Sequence, residues 1–223
     1  MTKPDPSQAR APEILSELAR LYPDARPALV FSNPFELLVA VMLSAQCTDI
    51  KVNSVTPALF ERWPDAAHLA AADPQDVEEV IRVCGLFHTK AKNLVAMADI
   101  LVSRYGGQVP ETREALEALP GVGRKTASVV LSNAFGQCAI AVDTHVFRVS
   151  NRLALARAKD VLSCEQQLMD IIPRELWGQA HHWLIFHGRQ ICHARKPECV
   201  RCTLAPLCPS ASLPKVPSED SAP

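Results

Sequence analysis

Three groups of residues in this sequence have the types and spacing to do chemistry. Cys192, Cys199, Cys202 and Cys208 read C-x6-C-x2-C-x5-C, four soft ligands in a span short enough to wrap one metal centre. A four-cysteine zinc site usually brings two C-x2-C knuckles, and here there is one, flanked by longer arms. Four thiolates suit a [4Fe–4S] cluster equally well, so spacing alone leaves zinc and iron–sulfur both open. The stretch from His187 to Cys202 also carries Arg189, Arg195, Lys196 and Arg201 against the single acid Glu198. Arg195 and Lys196 stand at the tip of the loop between the first two cysteines, where they can meet phosphates or simply stay solvated.

The second group is a turn and a lysine. Arg113–Leu119 predicts a short helix, Pro120 to Gly123 a tight turn, and Arg124–Phe135 a second helix with Ala127, Val130, Leu131 and Ala134 facing a core. Together they make a helix-hairpin-helix. Gly121 and Gly123 let the main chain approach a ligand closely, and the amides opening the second helix suit a phosphate. Lys125 lies in the first turn of that helix, on a polar stripe with Ser128 and Ser132. The positive end of a helix opposes an ammonium ion there, and partial burial would add to the effect, favouring the neutral amine that acts as a nucleophile. A solvated or phosphate-binding lysine is the plainer alternative.

The third is Asp143, between the apolar run Ala139–Val142 and the helical Thr144–Leu153. It fits an N-cap, and a carboxylate fixed there can also stabilise positive charge on a sugar or take a proton from an amine.

The elements that must hold these groups are helices. Apolar residues recur at helical spacing at Val77, Val80, Ile81 and Cys84 and again at Leu94, Met97, Ala98 and Leu101. Phe35–Leu43 is apolar on nearly every face, as for a helix inside a bundle. Asp73–Pro74 predicts a helix start, Gly85 and Gly106–Gly107 predict stops, and Ser163 with Gln166 fits a capping box. Only Ala28–Phe31 and Ala139–Val142 look faintly extended. Cys47, Cys84, Cys138 and Cys164 sit singly and read as small core residues.

The 223 residues are 48% hydrophobic with 23 basic and 24 acidic side chains, so no overall basic footprint marks a nucleic-acid binder. No apolar run suggests a membrane span, and the N-terminus lacks the apolar middle of a signal peptide. The expected location is cytoplasmic, where the cysteines are thiols or metal ligands.

The segments LPGVGRKTASVVL, AVDTHVFRV and HGRQICHARKPECVRCTLAPLC, in this order, resemble the endonuclease III family of bacterial DNA glycosylases. LLVAVMLSAQCTD and GLFHTKAKN extend the likeness to about Pro27 through Cys208. Both ends, 1–12 and 209–223, are rich in proline, serine and charge and are expected to be disordered tails. The resemblance implies an all-α, two-lobed helix-hairpin-helix glycosylase fold: a helical bundle over 26–138, and an iron–sulfur domain joining an N-terminal helix at 13–25 to 139–208. It implies a [4Fe–4S] cofactor on the four cysteines, and duplex DNA with damaged bases or abasic sites as the partner of a monomeric, nucleoid-associated enzyme. The residue matching Lys125 attacks the sugar, displaces an oxidised pyrimidine such as thymine glycol, and cuts the strand by β-elimination; the residue matching Asp143 assists. Gly121, Val122, Gly123, Arg124, Thr126, His145, Arg195 and Lys196 would contact DNA. Gln46 and Leu86 would fill the space left by the extruded nucleotide, with Ser44 and Asp49 near the lesion pocket. Adenine glycosylases share the hairpin and cluster but lack the lysine and carry a glutamate segment where this chain has SAQCTD. Cys47 and His88 depart from the expected small or polar residues. A non-catalytic damage-binding protein of the same fold, or a zinc-stabilised helical adaptor, are the alternatives.

Overall fold

The computed structural model describes residues 8–213, so the parts of the expected tails at 1–7 and 214–223 lie outside the described residues. Among those described there are helices and no strands. The chain divides into two compact units, one of residues 26–141 and one joining the residues up to Ala25 to those from Val142 onward. The division falls three residues later than the expected 138, because Ala139 and Ala141 are buried in the core of the 26–141 unit.

In the 26–141 unit, α1 is not represented and the first helix is α2 (Pro34–Leu43), α1 being the N-terminal helix Ala11–Leu21 described below. Asn33 caps α2 by accepting from the Glu36 amide, Pro34 occupies the first turn, and every residue from Leu37 to Leu43 is buried. A helix that is apolar all round gains its stability from burial, about 1.5–3 kcal/mol for each large aliphatic side chain. Next come α3 (Asp49–Arg62), α4 (Ala66–Ala70) and α5 (Pro74–Ile81), capped by Thr48, Asp65 and Asp73 in turn. After a short 3-10 helix, Arg82–Cys84, the long α6 (Phe87–Tyr105) buries Ala91, Leu94, Met97, Ala98 and Leu101, the predicted stripe. It ends on left-handed Gly106. The hairpin helices are α7 (Arg113–Glu117) and α8 (Arg124–Phe135), the latter with its expected bounds.

Ala28–Phe31 forms no strand. Its backbone pairs instead with one side chain: the Val30 amide donates to Asn53 Oδ1 at 3.0 Å and Asn53 Nδ2 donates to the Ala28 carbonyl at 2.8 Å. Ala139–Val142 is likewise a buried connection and not a strand.

The other unit holds α1 (Ala11–Leu21), α9 (Thr144–Leu153), α10 (Val161–Ile171), α11 (Trp177–Gln190) and the cysteine-bearing segment. The N-terminal helix begins at Ala11, two residues before the expected 13, after a 3-10 turn at Gln8–Arg10. Residues 8–12 are therefore structured. Pro12 in the first turn opens a helix, since its missing N–H costs nothing there, and Ala11 is buried. The expected capping box at Ser163 is displaced as well. Asp160 accepts from the Ser163 amide at 2.8 Å and starts α10, while Gln166 donates to Asp170. The aspartate is the stronger acceptor and lies where the chain enters the helix. Gly188 allows α11 to press on α9: a Cβ there would lie 3.1 Å from Arg148 Nη2 and from Val149 Cγ2. No helix among the described residues is long and apolar enough to cross a membrane.

Candidate active site and metal centre

The hairpin joins α7 to α8 by a turn in which the Val122 amide donates to the Leu119 carbonyl at 3.1 Å. The Val122 side chain is buried in the core beside Leu119, so what the residue presents outward is backbone. Arg113 Nη1 donates to Ser128 Oγ at 3.0 Å and ties the two helices together. This corrects the expected polar stripe: Ser128 is buried at 1% exposure, because Arg113 supplies it with a partner inside the helix pair. Lys125 is exposed, with Gly121, Gly123 and Arg124 exposed around it and Thr126 half-buried. The partial burial expected for Lys125 is absent; its position in the first turn of α8 is as predicted.

The two hairpin glycines do different work. Gly121 has φ +76°, and a Cβ there would come within 2.9 Å of Asn93 Nδ2 and 3.1 Å of Met42 Cε. Gly123 has an ordinary φ of −99° and open space where its Cβ would be. Gly121→Ala is therefore expected to lower stability by about 1–2 kcal/mol from the left-handed backbone alone, with the collision adding to it. Gly123→Ala should leave the melting temperature nearly unchanged and, where this turn receives a phosphate as its sequence leads one to expect, weaken duplex binding by about tenfold. Thermal melts and binding titrations on both variants check this contrast.

In the same unit two exposed residues hold left-handed backbone without being glycine: Gln46 at φ 54° and Leu86 at φ 49°. Leu86 is 58% exposed, a large apolar side chain facing water. Such backbone is uncommon outside glycine and costs of order 1–3 kcal/mol. Ser44 donates to the Val41 carbonyl at 2.8 Å, and half-buried Asp49 opens α3. Cys47 is half-buried beside Gln46, and His88 is exposed and held by Glu78 at 2.5 Å. Cys84 and Cys164 are buried as expected of core cysteines, but Cys138 is exposed, following the left-handed Gly136 that ends α8. Burial pushes the Cys84 thiol up to about 11.

One residue here was not anticipated. Lys90 is buried at 7% exposure, and its Nζ donates to the carbonyls of Leu43 and Cys84, both at 2.8 Å. The signal was present in the pattern, since Lys90 stands four residues before Leu94 on the apolar face of α6.

In the other unit, half-buried Asp143 caps α9, its Oδ1 accepting from the amides of His145 and Val146, both at 2.8 Å. His145 is also half-buried; desolvation holds its imidazole below the usual histidine range, and Arg148 Nη2 lies 3.1 Å from its Nδ1. Arg148 continues to the cysteine segment, donating from Nε to the Cys192 carbonyl at 3.1 Å and from Nη2 to the Gly188 carbonyl at 2.9 Å. The cap and the first cysteine are thus linked through one guanidinium.

Cys192, Cys199, Cys202 and Cys208 line a single small pocket. No three His, Cys, Asp or Glu side chains among the described residues converge closely enough to hold a single metal ion. The thiols receive donors: Arg152 Nη1 reaches Cys192 Sγ at 3.4 Å, and His187 Nε2 lies 3.5 Å from Cys202 Sγ, with Tyr22 Oη on its other nitrogen at 3.0 Å. Burial, and then the neighbouring thiols, push Cys202 and Cys208 up, and burial holds His187 down at about 4. Arg195 and Lys196 are exposed at the loop tip, Lys196 with φ 55°, whereas Arg201 is occupied by Glu198.

Residues 39–174 match the family model described as HhH-GPD superfamily base excision DNA repair protein. The chain is 52% identical over 203 residues to the endonuclease III of Synechocystis sp. (strain ATCC 27184 / PCC 6803 / Kazusa), covering 91% of this chain and 93% of that one. It is 47% identical over 202 residues to the endonuclease III of Escherichia coli (strain K12), covering 91% and 96%. Among solved structures, a trapped endonuclease III–DNA covalent intermediate superposes with a TM-score of 0.88 at 49% identity, covering 92% of this chain and 96% of that one. A thermostable thymine-DNA glycosylase shares the fold at a TM-score of 0.84 and 23% identity.

Proposed function

The chain belongs to the endonuclease III family, within the HhH-GPD superfamily of base excision DNA repair proteins, and from that membership we infer that it is a DNA N-glycosylase coupled to an AP lyase, removing oxidised pyrimidines such as thymine glycol from duplex DNA. The observation that carries the catalytic assignment is Lys125, an exposed primary amine in the first turn of α8, immediately after a hairpin whose outward surface is backbone. In this reading Lys125 Nζ forms a bond to the anomeric carbon, the glycosidic bond breaks, and the base leaves with its electron pair. The amine gives up a proton, which Asp143 accepts, and the carboxylate stabilises positive charge on the sugar. The C1′–O4′ bond then breaks as the nitrogen lone pair forms the C=N bond, O4′ takes up the proton held by Asp143, and the opened sugar is an iminium. Loss of a 2′ proton expels the 3′ phosphate, and water releases the lysine.

Gly121, Val122, Gly123, Arg124 and Thr126 would bind a phosphate mainly through main-chain amides, which explains how a chain of formal net charge −1 can hold DNA. His145, Arg195 and Lys196 would add contacts from the other unit. Extruding a damaged nucleotide costs a few kcal/mol, and exposed Gln46 and Leu86 are suited to replace its lost stacking, with Ser44 and Asp49 near the pocket. Four thiols lining one pocket suit a [4Fe–4S] cluster, the centre that the resemblance to endonuclease III implies. Such a cluster, when bound, cross-links the segment and supplies redox-active iron. Cys192, Cys199, Cys202 and Cys208 would hold it, with Arg152 and His187 donating to the sulfurs. We place the enzyme in the cytoplasm on the nucleoid, acting as a monomer.

Incubated with duplexes carrying thymine glycol or an abasic site, the purified protein is expected to release the base and cut 3′ to the lesion. Tight lesion binding without cleavage would instead identify a damage-binding protein. Brown colour with iron and acid-labile sulfide in similar amounts is expected on purification, and zinc in their place would overturn the cluster assignment.

A further inference from the structure

Lys90 is the buried cation of the 26–141 unit, and its two acceptors have a common character. Leu43 is the last residue of α2 and Cys84 the last of the 3-10 helix Arg82–Cys84. Terminal carbonyls of a helix lack intrahelical donors and carry the negative end of the helix dipole, so a buried ammonium satisfies both at once. Each carbonyl stands at the root of a short loop. Three residues beyond Leu43 is Gln46, and two beyond Cys84 is Leu86, the exposed pair with left-handed backbone. Neither conformation is favoured by its own residue type, so surrounding structure must impose it. The Lys90 amide meanwhile donates to the Leu86 carbonyl at 3.0 Å, fixing the second loop from its other side.

We propose that Lys90 is a positioning residue for lesion recognition: its ammonium ties the end of α2 to the end of the 3-10 helix and so holds the Gln46 and Leu86 loops ready to enter the space vacated by an extruded nucleotide. This rests on the DNA-repair reading above. Lys90 itself touches no substrate. Its head is enclosed by protein carbonyls, with the Cys47 and Cys84 thiols nearby, and burial lowers the ammonium's affinity for its proton. Without the ammonium, two buried carbonyls lose their donor and the two loops lose their common anchor.

The test uses the full chain with its metal centre intact, as wild type, Lys90→Met and Lys90→Gln. Met matches the length and removes every donor; Gln keeps a shorter, neutral donor. Two quantities are measured: affinity for a duplex containing a tetrahydrofuran abasic analogue against the same duplex undamaged, and amide hydrogen exchange at residues 44–47 and 85–87. For Lys90→Met the lesion affinity should fall by about tenfold to a hundredfold, while affinity for undamaged duplex changes by less than about twofold and exchange quickens in both loops. Lys90→Gln should show the same split, smaller. Strand cleavage of single-stranded abasic DNA, which needs no filling of a helix, should stay near wild type in both variants. Unchanged exchange, or unchanged lesion affinity, in both variants overturns the positioning role. Wild-type protein that fails to prefer the lesion duplex would refute the repair reading instead, leaving the exchange result to judge the tether.

Discussion

Lys125→Ala is expected to abolish the covalent adduct that borohydride traps on abasic DNA and to lower strand cleavage on the order of 10³-fold or more. The side chain is exposed at the start of α8 and makes no contact that holds the fold together, so the melting temperature should barely move. A phosphate-binding lysine in the same place would give a different result, namely weaker binding with the chemical step retained. Lys125→Arg separates the two. It preserves the positive charge and its reach to phosphate, but a guanidinium remains protonated and cannot attack carbon. Binding close to wild type with no adduct is the expected behaviour of Lys125→Arg. Retained cleavage by either variant would remove Lys125 from the chemistry.

Asp143 gives the second large effect, and here two substitutions must be read together because the carboxylate has a structural task. Its Oδ1 accepts from the amides of His145 and Val146, both at 2.8 Å, at the head of α9. Asp143→Ala loses this cap and is expected to cost about 1 kcal/mol of stability along with activity. Asp143→Asn keeps an oxygen that can accept both bonds, so its melt should resemble wild type, yet it can neither take a proton nor oppose positive charge on the sugar. Glycosylase turnover should fall by about 10²- to 10⁴-fold in Asp143→Asn. Wild-type turnover in that variant would reduce Asp143 to an N-cap.

The elements that hold the proposed catalytic and metal-binding residues are legible in the sequence because their signals are local. The glycine turn, the helix that follows it with Lys125 in its first turn, the cap at Asp143 and the four-cysteine spacing each lie within a few residues, and the structure places each element where the pattern put it. Helix starts are less legible where two candidates compete, as at Asp160 against Ser163, or where a helix-opening proline such as Pro12 sits in a segment of tail-like composition. Features made by contacts distant in sequence were not legible. The spacing of Lys90 from Leu94 puts it on the apolar face of α6, but nothing local tells that its ammonium meets the Leu43 carbonyl, 47 residues away. The left-handed backbones of Gln46 and Leu86 likewise belong to the packing around them, not to their residue types. The buried state of Ser128 depends on Arg113 arriving from the neighbouring helix.

The most direct measurement is to reduce the wild-type protein with borohydride on thymine-glycol duplex, digest the adduct, and find the modified residue by mass spectrometry. A single sugar remnant on Lys125 is the predicted result. An adduct on another amine, or base release with no adduct at all, would contradict the assignment of Lys125 as the nucleophile.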